Sequence, residues 1–274
     1  MWLLLTLFLA TTSEPTWLGP PPPEKVRRIV SLAPSATEII CALDACDRLV
    51  GVTRYDTYPP EVSNVARVGG FVDPDSETVL ALHPDLVIGV PTSGGRRRVD
   101  LLADLKVPVL IVPGQNLDDL WRAIAVIGTA LNRETQATAL TARLKGQITQ
   151  ARAEAKKRPP VRVLVLVGRR PIVAVGAGTF LDELLAVLHA QNVVTRGGAY
   201  PILDREAVML SGADVIIDAA YGESPSFDES WRELRAQPEA PRIVELTQEA
   251  LLRPGPRLGA ALTTLGKALT LEHP

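Results

Sequence analysis

Residues 132–158 read NRETQATALTARLKGQITQARAEAKKR, and this stretch decides the fold. Apolar residues return in it every three or four positions, the period of one face of a helix: Ala137, Leu140, Leu144, Ile148, Ala151 and Ala155. Pro159 and Pro160 end the pattern. At 1.5 Å per residue, such a helix is about 35 Å long, as long as a small domain is wide. We therefore predict a rigid helix between two lobes, with an ordinary long surface helix in one domain as the alternative.

The two segments that flank this helix resemble each other. Five residues of one pattern, D-x-E-x-V-x5-D-x-x-I, recur 129 positions later in the chain: Asp75, Glu77, Val79, Asp85 and Ile88, then Asp204, Glu206, Val208, Asp214 and Ile217. Each copy falls on a predicted helix, turn and strand. The repeat favours two similarly built lobes that face each other across a cleft, the usual place for a ligand.

The order of predicted elements gives the fold class. In the first half, strands are predicted at 28–32, 49–53, 86–90 and 109–112, and helices at 37–43, 75–82, 99–105 and 118–131. In the second half, strands are predicted at 161–167, 172–175 and 215–218, and helices at 180–189 and from 204. We expect an α/β protein with two Rossmann-like lobes, residues 25–131 and 159–274, joined by a single long α-helix over 132–158.

The N-terminus resembles an export signal. Its first ten residues, MWLLLTLFLA, form an apolar run too short to span a bilayer, although no Lys or Arg precedes it. We interpret residues 1–24 as a signal peptide followed by a Pro-rich extended spacer, which predicts a periplasmic protein. Cys41 and Cys46 could form a disulfide there or remain buried thiols.

Composition and motifs argue against several functions. The 274 residues carry a formal net charge of -2, which gives no indication of a nucleic-acid partner. No GxSxG, HExxH or P-loop sequence occurs, and the three histidines are scattered. The Gly176-Ala-Gly178 turn lacks the third glycine of a dinucleotide fingerprint. We expect no enzymatic activity, no metal site and no cofactor; a secreted two-lobe enzyme and a sensor module are the less favoured alternatives.

Several motifs together resemble one family. They are SLAPSATE (31–38), GVTRY (51–55), YPP (58–60) and ETVLALHPDLVI (77–88) in the first half, and GTFLDELL (178–185), Asn192-Val, Tyr200-Pro and EAVMLSGADVII (206–217) in the second. The chain resembles the substrate-binding proteins of ABC importers for vitamin B12, haem and ferric siderophores. The resemblance implies a monomer with little closure on binding, which delivers its ligand to a membrane permease and its ATPase.

The resemblance also implies a docking role for two glutamates. Glu77 and Glu206 match the residues, one on each lobe, that pair with arginines of the permease. Exposed carboxylates on rigid helix starts can bind arginine in a bidentate manner. The alternative is that each only complements a helix N-terminus, with Asp75 and Asp204 as caps.

The sequence indicates the family more clearly than it indicates the ligand. Tyr55 and Phe71 match aromatics that pack on the corrin ring in vitamin B12 binders, which makes a corrinoid the expected ligand. On the opposite wall of the cleft, Tyr200, Tyr221 and the charged Arg170 are the expected ligand residues. Further arginines on predicted loops could meet ligand carboxylates or be solvated: Arg96, Arg97, Arg98 and Arg169. Val90 stands where B12 binders often have tryptophan. Haem, with Tyr55 or Tyr200 as iron ligand, or a ferric siderophore therefore remains the alternative.

Overall fold

The computed structural model describes residues 14–91, 96–220, 227–236, 240–246 and 249–270. The first lobe contains β1 (Thr16–Leu18), β2 (Ile29–Ser31), α1 (Pro34–Ala42), β3 (Leu49–Val52), β4 (Ala66–Arg67), α2 (Ser76–Ala81), β5 (Leu86–Gly89), α3 (Arg96–Asp104), β6 (Val109–Ile111) and α4 (Leu117–Ala130). The long helix is α5 (Glu134–Ala155). The second lobe contains β7 (Val161–Arg169), β8 (Ile172–Ala174), α6 (Phe180–Val187), β9 (Ala190–Asn192), β10 (Ile202–Leu203), α7 (Arg205–Met209), β11 (Val215–Asp218), α8 (Phe227–Arg235), β12 (Arg242–Glu245) and α9 (Leu258–Thr270).

Each lobe is built on its own sheet. The first has the order β1-β6-β5-β2-β3-β4, with β2 to β6 parallel and β1 antiparallel to β6. The second has the order β10-β8-β7-β11-β12, and β9 also pairs with β7. The predicted fold class, two α/β lobes and one connecting helix, is confirmed.

Helix α5 belongs to the cores of both lobes. Its predicted apolar stripe is buried at Ala137, Leu140, Leu144, Ile148 and Ala155. The helix packs against α4 of the first lobe and against α6 and α9 of the second. A single apolar cluster therefore extends from Ile29 through α5 to Leu269. Bending between the lobes would have to break this packing, so the connection is stiff.

The internal repeat corresponds to equivalent structure. Asp85 Oδ2 accepts hydrogen bonds from the backbone N–H of Arg27 and Arg28 at 2.8 and 2.9 Å, and Asp214 Oδ2 accepts one from Arg162 N–H at 2.8 Å. Asp85 thus fixes the chain just before β2 to the turn before the neighbouring strand β5. Asp214 likewise fixes the start of β7 to the turn before its neighbour β11. The five-residue pattern is a structural repeat.

The structure corrects the sequence interpretation in three places and decides a fourth that the sequence left open. The segment interpreted as a spacer contributes β1, because its extended backbone pairs with the edge strand β6. Helix α3 begins at Arg96, so Arg97 and Arg98 lie on a helix and not on a loop, and Arg98 Nη1 donates to the Pro74 carbonyl at 2.8 Å. Helix α9 and strand β12 were not predicted: Gly and Thr interrupt the apolar pattern of α9, and β12 is only four residues long with a charged residue at each end. Cys41 and Cys46 are joined in a disulfide.

Candidate functional site

A cavity of about 460 Å³ lies between the lobes. The parallel strands β2, β3, β5 and β6 all end at this edge of the first sheet, and loops that follow them form one wall. Residues 252–254 of the second lobe form part of the other wall. The described lining residues are Ala33, Pro34, Ser35, Tyr55, Phe71, Val90, Pro91, Gly114, Gln115, Leu252, Arg253 and Pro254. Most of this surface is apolar, as in sites for flat organic ligands.

Tyr55 and Phe71 form an aromatic corner of the cavity. Their ring centroids are 5.8 Å apart and their planes are inclined by 60°, an edge-to-face contact. Arg54 lies 5.0 Å from the Tyr55 ring centroid and its Nη2 hydrogen-bonds both carboxylate oxygens of Asp73 at 2.8 Å. The ion pair connects the loop that carries Tyr55 to the loop that carries Phe71. The corner is therefore held in place before a ligand arrives.

The turn beneath Tyr55 is anchored by a buried carboxylate. Asp56 is 1% exposed, and its Oδ2 accepts hydrogen bonds from the backbone N–H and the hydroxyl of Thr53 at 2.8 and 2.5 Å. The Thr53 hydroxyl in turn accepts from the Tyr55 N–H at 3.2 Å. Burial raises the pKa of Asp56 above its ordinary value, and the hydrogen bonds from threonine partly offset this rise.

Arg253 is a candidate ligand residue that the sequence did not indicate. It is the only charged side chain among the described residues that line the cavity, and its Nη2 lies 3.5 Å from the Tyr55 carbonyl oxygen. The surrounding sequence, LLRPGPRL, has neither helical nor strand periodicity, so no local pattern indicated that it faces Tyr55.

Backbone contacts connect the lobes near the cavity. The Phe180 N–H donates to the Gln115 carbonyl at 2.7 Å, and the Leu117 N–H donates to Glu183 Oε2 at 2.6 Å. Burial raises the pKa of Glu183, and the hydrogen bond from Leu117 opposes that rise. Gln115 thus both lines the cavity and joins the lobes.

The other predicted ligand residues are placed differently. Tyr200 is 58% exposed, Arg170 is exposed, and neither is among the described residues that line this cavity; Tyr221 lies outside the described residues. Arg169 does not face a ligand, because it is buried and its guanidinium contacts Asp218 at 2.9 Å and Glu245 at 3.0 Å. Its position at the end of β7 directs it into the lobe.

Glu77 and Glu206 occupy equivalent positions. Each is the second residue of its helix and is exposed. The helix ends are capped by other residues: Asp75 accepts from the backbone N–H of Glu77 and Thr78, and Asp204 from that of Ala207. The two glutamate carboxylates are thus not the hydrogen-bonding caps, which leaves them available to a partner. Permease docking stays a prediction.

A second concavity, of about 800 Å³, lies between α5 and α9. It is bordered by polar residues such as Gln147, Glu154, Arg158 and Lys267, and none of its described lining residues also lines the cavity between the lobes. We assign the candidate ligand site to the smaller cavity, which has the aromatic corner.

In the part of the chain that the structure describes, no cluster of acidic, His or Cys side chains could hold a metal ion. None of the described helices combines the length and the apolar character that a membrane span requires.

The chain is similar to known binding proteins in sequence and in fold. Residues 29–240 match the family described as periplasmic binding protein. The uncharacterized ABC transporter substrate-binding lipoprotein YvrC of Bacillus subtilis is 31% identical over 252 residues, 89% of this chain and 80% of that protein. The vitamin B12-binding protein of Pectobacterium carotovorum is 26% identical, with 90% of each chain covered. The periplasmic heme-binding protein RhuT of Roseiflexus sp. RS-1 superposes with a TM-score of 0.74 at 28% identity, covering 89% of this chain and 97% of RhuT.

Proposed function

Because this chain belongs to the periplasmic binding protein family, and within it to the substrate-binding proteins of the vitamin B12, haem and siderophore importers, we propose that it captures a corrinoid such as vitamin B12. The observation that carries the proposal is the aromatic corner of Tyr55 and Phe71 on the cavity between the lobes. Two rings inclined to each other offer one face and one edge to a flat macrocycle. The relatives named vitamin B12-binding protein support this ligand.

Haem is the second candidate, and Arg253 favours it. A guanidinium on an otherwise apolar wall suits a planar ligand that carries carboxylates, and Tyr55 lies on the same cavity as a candidate iron ligand. The similarity to the heme-binding protein of Roseiflexus supports this candidate. A ferric siderophore with carboxylates would use the same arginine.

The protein acts outside the cytoplasm, with the permease and ATPase of an ABC importer as its partners. We propose that it is a monomer without enzymatic activity, and that Glu77 and Glu206 dock onto the permease. Tyr200, Tyr221 and Arg170 remain proposed ligand residues, expected to act from the second lobe.

Replacing either aromatic of the corner tests the site. We expect Tyr55→Ala and Phe71→Ala each to weaken cyanocobalamin binding about tenfold or more, because large rings at the centre of a contact contribute most of its free energy. Affinity is measured by spectral titration. Val72→Ala is the matched control, since Val72 is an exposed neighbour outside the cavity lining. Unchanged affinity in both aromatic variants, with wild-type binding intact, would remove the ligand from this corner.

A further inference from the structure

Glu38 and Arg257 form an ion pair between the lobes. Arg257 Nε and Nη2 donate to the two carboxylate oxygens of Glu38 at 2.9 and 2.5 Å, a bidentate arrangement across 219 positions of sequence. Side-chain exposure is 2% for Glu38 and 22% for Arg257. Glu38 lies on α1 of the first lobe, and Arg257 immediately precedes α9 of the second. A pair of this geometry fixes both distance and orientation between its partners.

The arginine has a second contact with the first lobe. Its guanidinium carbon lies 4.6 Å from the centroid of the Tyr58 ring, within the range of a cation–π interaction. Arg257 is thus held between a carboxylate and an aromatic ring, both belonging to the opposite lobe. Both partners of this contact are close in sequence to residues that line the cavity: Tyr58 follows Tyr55 by three residues, and Arg257 follows Pro254 by three.

Arg257 lies at the end of the segment that forms part of the second wall of the cavity. Residues 252–254 line the cavity, and the Leu258 N–H bonded to the Gly255 carbonyl closes the turn that follows them. Within this segment, Arg253 contacts the Tyr55 carbonyl at 3.5 Å. Three residues after Pro254, Arg257 adds the bidentate pair with Glu38 of the first lobe.

We propose that Glu38 and Arg257 are positioning residues that hold the wall formed by residues 252–254 against the Tyr55 wall and so set the width of the ligand cavity. The inference rests on the assignment of this cavity as the ligand site. Neither residue needs to touch the ligand. Their loss would leave both walls intact but free to separate, which lowers affinity by removing preorganisation.

The burial of Glu38 makes the pair sensitive to pH. Burial raises the pKa of Glu38, Arg257 and Arg253 oppose the rise, and the nearby Asp56 adds to it. Glu38 therefore takes up a proton at a higher pH than an ordinary glutamate, and the bidentate ionic pair is lost as pH falls through that raised pKa. Since the folded state holds this proton more tightly than the unfolded state, the same protonation does not lower the free energy of unfolding. Acid should loosen the wall without unfolding the protein.

Hydrogen exchange on ligand-free protein tests the proposal without depending on the ligand. In Glu38→Gln and Arg257→Gln, we expect the protection factors of amides at 252–261 to fall about tenfold or more, since one charge of a buried pair loses its partner. Arg257→Lys keeps the charge but not the bidentate geometry and should give an intermediate loss. Glu154→Gln, which removes an exposed pair with Lys157, is the control and should change nothing in this segment.

Two further readouts separate positioning from general stability. Wild-type protection at 252–261 should fall on mild acidification, whereas that of Glu38→Gln should be independent of pH over the same window. The Glu38→Gln/Arg257→Gln double variant should be no worse than either single variant, because both charges are gone. In titrations, the single variants should bind cyanocobalamin about tenfold more weakly.

Wild-type protection at 252–261 in Glu38→Gln and Arg257→Gln would overturn the proposal. If either variant fails to fold, protection at 252–261 in Arg257→Lys and its pH dependence in the wild-type protein decide instead. Wild-type protection in Arg257→Lys together with pH-independent protection in the wild-type protein would contradict the proposal. If wild-type protein binds neither cyanocobalamin nor hemin, the proposed ligands are wrong, yet the exchange data still decide whether the pair holds the wall.

Discussion

Changing Glu77 and Glu206 to arginine together will reduce ligand uptake about a hundredfold or more and leave ligand affinity unchanged. The two carboxylates are exposed at the starts of equivalent helices, and close charge pairs across interfaces contribute several kcal/mol each. In the proposed docking, reversal replaces attraction to permease arginines by repulsion. Uptake is measured with radiolabelled cyanocobalamin, or iron-labelled hemin, in cells that carry the cognate importer.

The control for this change has the same net charge. Glu61→Arg with Glu134→Arg also reverses two exposed glutamates, but these do not occupy the repeated helix position. Normal uptake in the control together with lost uptake in the Glu77/Glu206 variant would locate the docking surface. Equal uptake in both variants would show that the glutamates only complement their helix N-termini.

Removing the Asp218 carboxylate will lower the free energy of unfolding by several kcal/mol. Asp218 is fully buried at the end of β11, where its Oδ2 accepts from Arg169 Nε at 2.9 Å and from the Trp231 indole N–H, and its Oδ1 accepts from the Ala220 N–H at 3.1 Å. Asp218→Ala leaves a buried arginine short of its main partner. We expect the free energy of unfolding to fall by about 3–5 kcal/mol, measured by urea denaturation.

The other acid bound to the same arginine provides the comparison. Glu245 contacts Arg169 Nη2 at 3.0 Å, but its side chain is 43% exposed. Glu245→Ala should therefore lower the free energy of unfolding by about 1 kcal/mol or less. Similar losses in the two variants would mean that burial of Asp218 does not determine the effect.

The elements that the sequence predicted well are those with a local cause. The stripe on α5 follows from residues three or four apart, and the repeat of Asp85 and Asp214 is visible because both turns need a carboxylate at the same place. Strands β4 and β10 have only two residues each, too few to show a periodic pattern in the sequence. Their pairing depends on neighbours distant in sequence.

The same distinction applies to the site. Tyr55 and Phe71 were identified through the family motifs, and the structure places them together on the cavity. Arg253 and Arg257 lie in a segment without periodicity and meet the first lobe about two hundred positions away in sequence. The sequence predicts Arg169 on a loop beyond a strand that ends at Val167, whereas β7 continues to Arg169 and directs it into the core.

The most direct test of the central claim is a spectral titration of purified ligand-free protein with cyanocobalamin and, in parallel, with hemin. We expect saturable binding of cyanocobalamin at one site with micromolar or tighter affinity, the range of specific small-molecule sites. A shifted hemin Soret band with no cyanocobalamin binding would contradict the corrinoid assignment and move it to haem, with Tyr55 and Arg253 as the residues to change next. Binding of neither would contradict both assignments.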